Sequence, residues 1–370
     1  MKGYLILLPL ALCLFVSTTL CQANGKLQIH FMDVGQGDGT VLISPQGEVV
    51  LFDNGVRNNC KKPVAYLKKI GVKAIDYHIA SHYHDDHIGC TKEVLGSFPL
   101  KIEAIDRGFS YHTQTYKAYL NEVSSKRKQA EVGRKITLDA GSAPVVIEFV
   151  AVNGNIKANG DTLETKNEND RSLVAIVRFG SFDAMIGGDL SGENTASYRD
   201  IETQLAKSMK AVEVYKVHHH GSAHSSNVEL LAKIKPLVGI ISAGDKNTHG
   251  HPNKESLERL HERGIKTYWT SKGSGASPVD DFDFVSSNIV IEVASGSSEF
   301  TVKYNGSSTH KYSNFESEEA DSGVMRYAWS QTSPYYHKIK CSYVAKIKSG
   351  NLRKSSIRPT RKTIHQGCPK

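Results

Sequence analysis

Long apolar runs are nearly absent from this sequence, which argues against a protein with several membrane spans. The one candidate, from Tyr4 to about Val16, falls short of the roughly 20 residues that a spanning helix needs. It follows a lone Lys2 and gives way to small and polar residues, the layout of a secretory signal peptide. Residues 1–23 are therefore read as a signal, cut after Cys21 or Ala23, with an uncleaved anchor as the alternative. Thr18, Thr19 and Leu20 make a poor lipoprotein box before Cys21, so no lipid anchor is expected. The expectation is a secreted or periplasmic protein with no integral span after the signal is removed.

Cysteine is scarce as well. Removing the signal takes Cys13 and Cys21 and leaves Cys60, Cys90, Cys341 and Cys368. An even set in an exported protein suggests disulfides, and four cysteines allow three pairings. The simplest joins sequence neighbours, Cys60 with Cys90 and Cys341 with Cys368. Acid, finally, is missing from one end. From Gly323 onward there are 11 lysines and arginines and no aspartate or glutamate, which leaves 35 basic and 38 acidic residues in the rest of the chain. The body is thus close to neutral, and the tail supplies the net charge of +8. Such a segment favours polyanions, nucleic acid or an anionic cell surface, although a merely solubilising or wall-associated tail is an equal reading. A hydrophobic fraction of 39% excludes a disordered or fibrous chain.

What is present reads as α/β. Between Leu27 and Asp53 three short runs, LQIHFMD, GTVLIS and EVVLFD, have the branched and aromatic residues of strands and are punctuated by glycine or proline. Helical spacing follows at Lys61–Ile70, then a strand at Tyr77–Ser81 and a long polar helix at about Gln114–Glu131. Val145–Val152, Ser172–Phe179 and Phe182–Asp189 read as strands. Beyond Asp189 helices alternate with strands: Asn194–Lys207 before Val212–Val217, Asn227–Ile234 before Val238–Ala243, and Lys254–Arg263 before Lys266–Thr270. The pattern predicts two mixed sheets packed face to face with helices outside, in one body spanning residues 24–304. Residues 305–322, rich in serine, glycine and acid, read as a linker to a small basic module at 323–370.

The chemistry concentrates in SHYHDDHIG, Ser81–Gly89. His82, His84, Asp86 and His87 place four metal-type ligands within six residues at a strand end, a density that is expensive to bury without a cation. Imidazole with carboxylate suits zinc, with manganese or iron as rivals. Three further pieces also fall at strand ends. Asp189 in GGDL is placed to bridge two ions, His218, His219 and His220 follow in KVHHHGS, and Asp53 in LFDNG could brace the histidine loop. Taken singly each has a plain explanation as a turn residue; their order along the chain does not.

Seven segments together carry a resemblance: FMDVGQGDGTVL, LFDNG, SHYHDDHIG, NDRSLVAI, IGGDL, KVHHHGS and SAGDKNTHGHP. They resemble the metallo-β-lactamase superfamily and, within it, the C-terminal domain of the competence protein ComEC and its free-standing secreted relatives. The resemblance implies an αββα sandwich and two divalent metals, zinc or alternatively manganese. His82 and His84 would bind the first, Asp86 and His87 the second, and Asp189 both. One of His219 and His220 completes the second site; His220 is favoured, with His219 facing substrate, and the reverse stays open. No histidine lies between His112 and Asp189, so Asn169 stands where many members have the first metal's third histidine. That departure argues against β-lactam or thioester hydrolysis. Gln36 and Asp38, in the glycine-bearing loop VGQGDG, would shape the floor of the site, and Asp33 and Asp53 would support the ligands from behind.

The function so implied is hydrolysis of a phosphodiester by a hydroxide shared between two metals, with DNA or RNA as substrate. His219, His251 and Asp86 are the candidate catalytic residues, the histidines for stabilising the transition state or protonating the leaving group. A small or cell-surface phosphoester such as phosphocholine is the alternative substrate. A non-catalytic polyanion-binding protein is the third reading. In the tail, His337, Cys341, His365 and Cys368 offer a metal site, but a Cys341–Cys368 disulfide is favoured.

Overall fold

Val49–Phe52 is four buried residues in succession, VVLF, without the polar alternation of a strand that has one wet face. A strand of that kind must be covered on both sides, and most strands of this protein are. In the computed structural model, which describes residues 24–141, 143–156, 162–315, 327–330, 335–338, 346–347, 352–355 and 363–364, the chain builds two stacked sheets with helices outside.

The chain begins in the first sheet with β1 (Lys26–Phe31), β2 (Thr40–Ile43), β3 (Val49–Phe52), β4 (Ile75–Ile79), β5 (Leu100–Asp106) and β6 (Arg127–Gln129). It crosses to the second with β7 (Lys135–Leu138), β8 (Val145–Val152), β9 (Asn155–Ile156), β10 (Val174–Phe179), β11 (Phe182–Gly187), β12 (Val214–Lys216), β13 (Val238–Ile241), β14 (Lys266–Trp269) and β15 (Asp283–Val285). It then returns to the first through β16 (Ile289–Ala294), β17 (Glu299–Tyr304) and β18 (Ser308–Ser313). The strand orders are β18-β17-β16-β1-β2-β3-β4-β5-β6 and β15-β14-β13-β12-β11-β10-β8-β7. Each sheet is antiparallel through part of its width and parallel through the rest, β3 to β6 in one and β11 to β15 in the other.

Between the sheets lies a core that includes Ile29, Phe31, Val50 and Ile79 from one side and Ile147, Phe149, Val177 and Ile186 from the other. The outer faces are covered by helices. Helix α1 (Lys61–Lys69) and α3 (Thr91–Ser97) bury Leu67 and Val94 over Val41, Val49 and Leu51. On the second sheet, α5 (Glu202–Ala206), α6 (Val228–Ile234) and α7 (Lys254–His261) bury Leu205, Leu230, Leu231, Leu257 and Leu260 against Tyr215 and Trp269. Helix α6 starts where the Asn227 side chain accepts the Leu230 N–H, and α4 (Gln114–Val123) where Thr113 accepts that of Tyr116. One short helix, α2 (Asp85–Ile88), sits inside the histidine segment.

The fold therefore has the expected αββα layers, with local differences. Helix α4 ends at Val123, and the chain turns through a Lys126 N–H to Val123 carbonyl bond into β6 rather than continuing to Glu131. The helix expected over Asn194–Lys207 is only α5. Upstream of it, the Thr195 hydroxyl accepts the N–H groups of Ser197 and Tyr198, and Asn194 accepts that of Asp200. Those side-chain bonds hold the backbone in turns and compete with a helix. The supposed linker is also shorter, because Ser308–Ser313 pairs along β17 as an edge strand. Its inward residues pack on aromatic rings: His310 on Phe284 at 4.7 Å and Tyr312 on Phe300 at 5.2 Å. Among the described residues of the tail, four short strands form a separate sheet. Residues 1–23, Cys341, His365 and Cys368 lie outside the described residues.

Candidate metal centre

Parallel strands share a direction, so their carboxyl ends gather along one edge of the sandwich, and open α/β sheets bind ligands at such an edge. Here β3 delivers Asp53, β4 delivers Ser81 and His82, β11 delivers Asp189, β12 delivers His218–His220, and β13 delivers Ser242. The Asp33–Gly39 loop closes over these ends. Gly37 is at φ 135° there, and a Cβ on it would meet the Asp86 carbonyl oxygen at 2.2 Å, so only glycine fits.

Three groups of donor atoms result, each with all its members within 4.8 Å of one another: His82, His84 and Asp189; Asp86, His87, Asp189 and His220; and, behind these, Asp38, Asp53 and His87. Asp189 belongs to the first two. In the first, Nε2 of His82 faces Nδ1 of His84 at 3.0 Å and Oδ2 of Asp189 at 3.9 Å. In the second, Nε2 of His87 lies 3.3 Å from Oδ2 of Asp189, and Nε2 of His220 lies 3.5 Å from Asp189 and 3.2 Å from Asp86. Yet Nε2 of His87, Nε2 of His220 and Oδ1 of Asp189 are buried with no aligned hydrogen bond. Buried polar atoms rarely stay unsatisfied. Ligands about 2.1 Å from a tetrahedral ion stand about 3.4 Å from each other, which is the spacing found here. The residues present fit a pair of divalent cations.

The electrostatics agree. Burial opposes charge on His87 and His220, but the surrounding aspartates, Asp189 foremost, hold both rings well above the ordinary histidine pKa. Burial likewise opposes charge on Asp189, and the cationic histidines His87 and His220 hold it well below the carboxylate range. The aspartates thus call for positive charge, which protons supply to the bare rings and metal ions would supply in their place. His82, deeper still, is driven well below its usual value by burial and by His87.

A layer of fixed partners sets the ring orientations. Nδ1 of His220 faces the Ser242 carbonyl at 2.9 Å, and Nδ1 of His82 faces the hydroxyls of Ser81 at 3.1 Å and Ser172 at 3.3 Å. The Ser172 hydroxyl also accepts the Asp189 N–H at 2.9 Å. Asp38 lies with Oδ1 3.3 Å from Nδ1 of His220, while its Oδ2 takes the buried ammonium of Lys216. His219 and His220 both adopt left-handed backbone, φ 52° and 55°, as does Asp53 at 50°. Non-glycine residues occupy that region at some energetic expense, and such strain concentrates at functional sites.

The structure sorts the sequence-predicted residues. His82, His84, Asp86, His87, Asp189 and His220 converge, with Asp53 and Asp38 behind them. His219 stands beside the cluster, its Nε2 3.9 Å from Asp189 and 3.1 Å from Nδ2 of Asn169. Oδ1 of Asn169 is buried without a hydrogen bond. The His251 ring is 5.4 Å from that of His219 and is nearly buried. Gln36 ties its loop to the far side, where Oε1 accepts the Gly244 N–H at 3.0 Å. Asp33 departs from expectation: it pairs with exposed Lys62 at 2.9 Å and accepts the Gly35 N–H, so it shapes the loop without reaching the cluster. His218 points away, its Nδ1 2.7 Å from buried Glu202. Asp85 accepts the Thr115 hydroxyl at 2.6 Å and takes no part. Cys60 and Cys90 are bonded, with Cα atoms 5.1 Å apart, and pin the end of the histidine segment to the start of α1.

Sequence reasoning missed Glu168 and Arg107. The buried Arg107 guanidinium grips Glu168 through Nε at 2.6 Å and a terminal nitrogen at 2.8 Å, and Oε1 of Glu168 accepts the Tyr83 N–H at 2.9 Å. The turn bearing Asn169 is thereby joined to the backbone between His82 and His84. No local pattern announces such a link. Lys216 was the more legible omission, a lone cation in the apolar run VEVYKV.

With this fold and cluster, the chain belongs to the metallo-beta-lactamase superfamily, whose family model matches residues 33–245. Its relatives include ComEC-like competence proteins: ComE operon protein 3 of Bacillus subtilis, 24% identical over 262 residues, and Recombination protein 2 of Haemophilus influenzae, 25% identical over 239. The matches cover 66% and 63% of this chain and only 32% and 26% of those proteins, so it spans about a third of their length or less. Among solved structures, the metallo-beta-lactamase fold protein YhfI of Bacillus subtilis is similar at 14% identity and a TM-score of 0.41, over 72% of this chain and all of that one.

Proposed function

We propose that this protein is a metal-dependent phosphodiesterase acting on nucleic acid outside the cytoplasm, with zinc as the resident ion and manganese as the alternative. The observation that carries this reading is Asp189, one carboxylate shared by two adjacent donor groups. His82 and His84 would hold one ion, Asp86, His87 and His220 the other, and Asp189 both. When bound, such a pair of ions supplies Lewis acidity to a phosphoryl group and to the water that attacks it. His219 and His251 stand at the margin of the cluster. Burial, more than any neighbour, lowers their pKa values to about 4 and about 3. Both rings are therefore neutral near pH 7, and each offers an N–H to a phosphoryl oxygen rather than a proton to the leaving group. The Asn169 amide, held against His219, extends the same polar rim.

Two observations support a nucleic acid over a β-lactam. The ComEC-like relatives are competence and recombination proteins by name, and the tail is a dense cation. The test incubates full-length protein with plasmid DNA, single-stranded DNA, a chromogenic phosphodiester and a phosphocholine ester, each with zinc, manganese or chelator. Metal-dependent cleavage of DNA supports the proposal. Cleavage of the phosphocholine ester alone transfers the activity to a cell-surface phosphoester. Survival of every substrate at full metal occupancy leaves a polyanion-binding protein and removes the hydrolase.

A further inference from the structure

Two tyrosine rings stand beside the metal cluster and are not needed to build it. Tyr111, in the loop after β5, is half-buried, with its ring 6.2 Å from that of His84 in an edge contact. Tyr198, in the turn-rich segment after Asp189, is also half-buried, 6.0 Å from His219 and 4.9 Å from His224. Neither hydroxyl is hydrogen-bonded among the described residues, so nothing in the fold uses the polar end of either ring.

The two rings flank the turn that carries Asn169. On one flank, Glu168 is gripped by Arg107, whose guanidinium carbon lies 5.8 Å from the centre of the Tyr111 ring. On the other, Asn167 donates to the Ser197 carbonyl at 2.5 Å and Asp170 accepts the Arg199 N–H at 3.1 Å. The same bonds that shape the Asn169 turn thus fix the segments bearing Tyr111 and Tyr198. Each ring leans on a histidine of the centre, one from the first donor group and one from the margin. Arg171 and Arg199 belong to these segments, and neither guanidinium is paired with a carboxylate among the described residues.

Resting on the phosphodiesterase reading, we infer that Tyr111 and Tyr198 are stacking walls for the nucleobases on either side of the phosphate at the metal centre. The substrate class that follows is single-stranded nucleic acid. A base stacked on a side chain must leave its own stack, which a paired duplex resists, whereas any base of a single strand offers a face. Aromatic stacking of this kind is tolerant of sequence, and the unpaired arginines suit the strand's phosphates.

The test compares a single-stranded oligonucleotide having one cleavable phosphodiester, its other linkages blocked, with the same strand made abasic on both sides of that bond. Wild-type protein, Tyr111→Ala, Tyr198→Ala and the two phenylalanine variants are assayed with metal for kcat/KM and, in chelator, for binding by fluorescence anisotropy. Wild type should prefer the base-bearing strand about 100-fold, the factor that about 1.4 kcal/mol of stacking on each of the two rings gives. In each alanine variant that preference should fall to about 10-fold, and phenylalanine should retain it. Comparable melting temperatures exclude misfolding as the cause. Preference undiminished in both alanine variants overturns the inference, and so does a loss confined to a phosphocholine ester, which would make the rings a cage for a cation. Should wild type cleave nothing, the phosphodiesterase reading falls by itself, and the anisotropy comparison still decides whether the rings hold bases.

Discussion

Oδ2 of Asp53 lies 2.8 Å from Nδ1 of His87, and that contact turns the opposite ring nitrogen toward Asp189. The same carboxylate takes the Ser81 hydroxyl at 2.7 Å and, through Oδ1, the Ser81 N–H at 2.8 Å. An asparagine would keep the size but replace one acceptor with a donor. Asp53→Asn is expected to weaken metal binding about 10- to 100-fold with the fold preserved. Zinc titration of the stripped protein, alongside its circular dichroism, measures this; unchanged affinity would show that Asp53 does not orient His87.

Asp189→Asn removes the shared charge. Activity should fall by at least about 1000-fold, near the loss of a whole metal function, and the bound-metal stoichiometry should drop. Atomic absorption on the dialysed protein gives the stoichiometry directly. Two ions retained at wild-type affinity would contradict the bridging role.

Lys216 is a buried ammonium paired with buried Asp38. Lys216→Met takes from the buried Asp38 carboxylate its foremost counter-charge, leaving only the His220 and His87 rings, and should lower stability by about 3–5 kcal/mol. Adding Asp38→Asn should recover much of that loss. Chemical denaturation of both variants reads it, and a double variant no more stable than the single one would deny the pairing.

The Cys60–Cys90 bond closes a loop of sequence separation 30 beneath the histidine segment. Replacing both cysteines with serine should reduce stability by about 2–4 kcal/mol, mainly through a freer unfolded chain. Thermal melts of wild type with and without reductant should show the same difference; identical melts would mean that the bridge does not constrain the unfolded state.

Glu213 supplies a pH dependence remote from the metal cluster. Burial, reinforced by Asp183, raises its pKa to about 7 in the folded protein, from an ordinary 4.5. Between those values the folded state binds more protons than the unfolded one. Stability from this group is therefore greatest at low pH and is lost as pH rises from about 4.5 to about 7, by on the order of 3 kcal/mol. Glu213→Gln should flatten that slope between pH 5 and pH 7.5 in urea titrations. A slope equal to that of wild type would place the ionisation elsewhere.

The donor cluster was legible because its residues are bunched. Four of them lie within six residues, and Asp189 and His220 each follow an apolar strand that ends abruptly. Ligand roles within KVHHHGS were not: three adjacent histidines are equivalent on paper, and only the left-handed backbone at His219 and His220 sends one ring to Asp86, one to Asn169 and one to Glu202. Asp33 was misjudged for a related reason, since a loop's sequence does not say which of its side chains face inward. The helix expected over Asn194–Lys207 failed where side-chain bonds from Asn194 and Thr195 outweighed a helical pattern.

By itself the sequence determined the layers and the grouping of metal-type donors, because burial on both faces of a strand and the clustering of imidazole with carboxylate are written in residue types a few positions apart. Tertiary structure alone decided how the pieces meet. The Arg107–Glu168 clamp joins positions 61 residues apart, and the Lys216–Asp38 pair joins positions 178 apart. The rings of Tyr111 and Tyr198, from segments far apart in the sequence, likewise come to stand beside His84 and His219. Such pairings depend on strand order and direction, and no local pattern of residues encodes those.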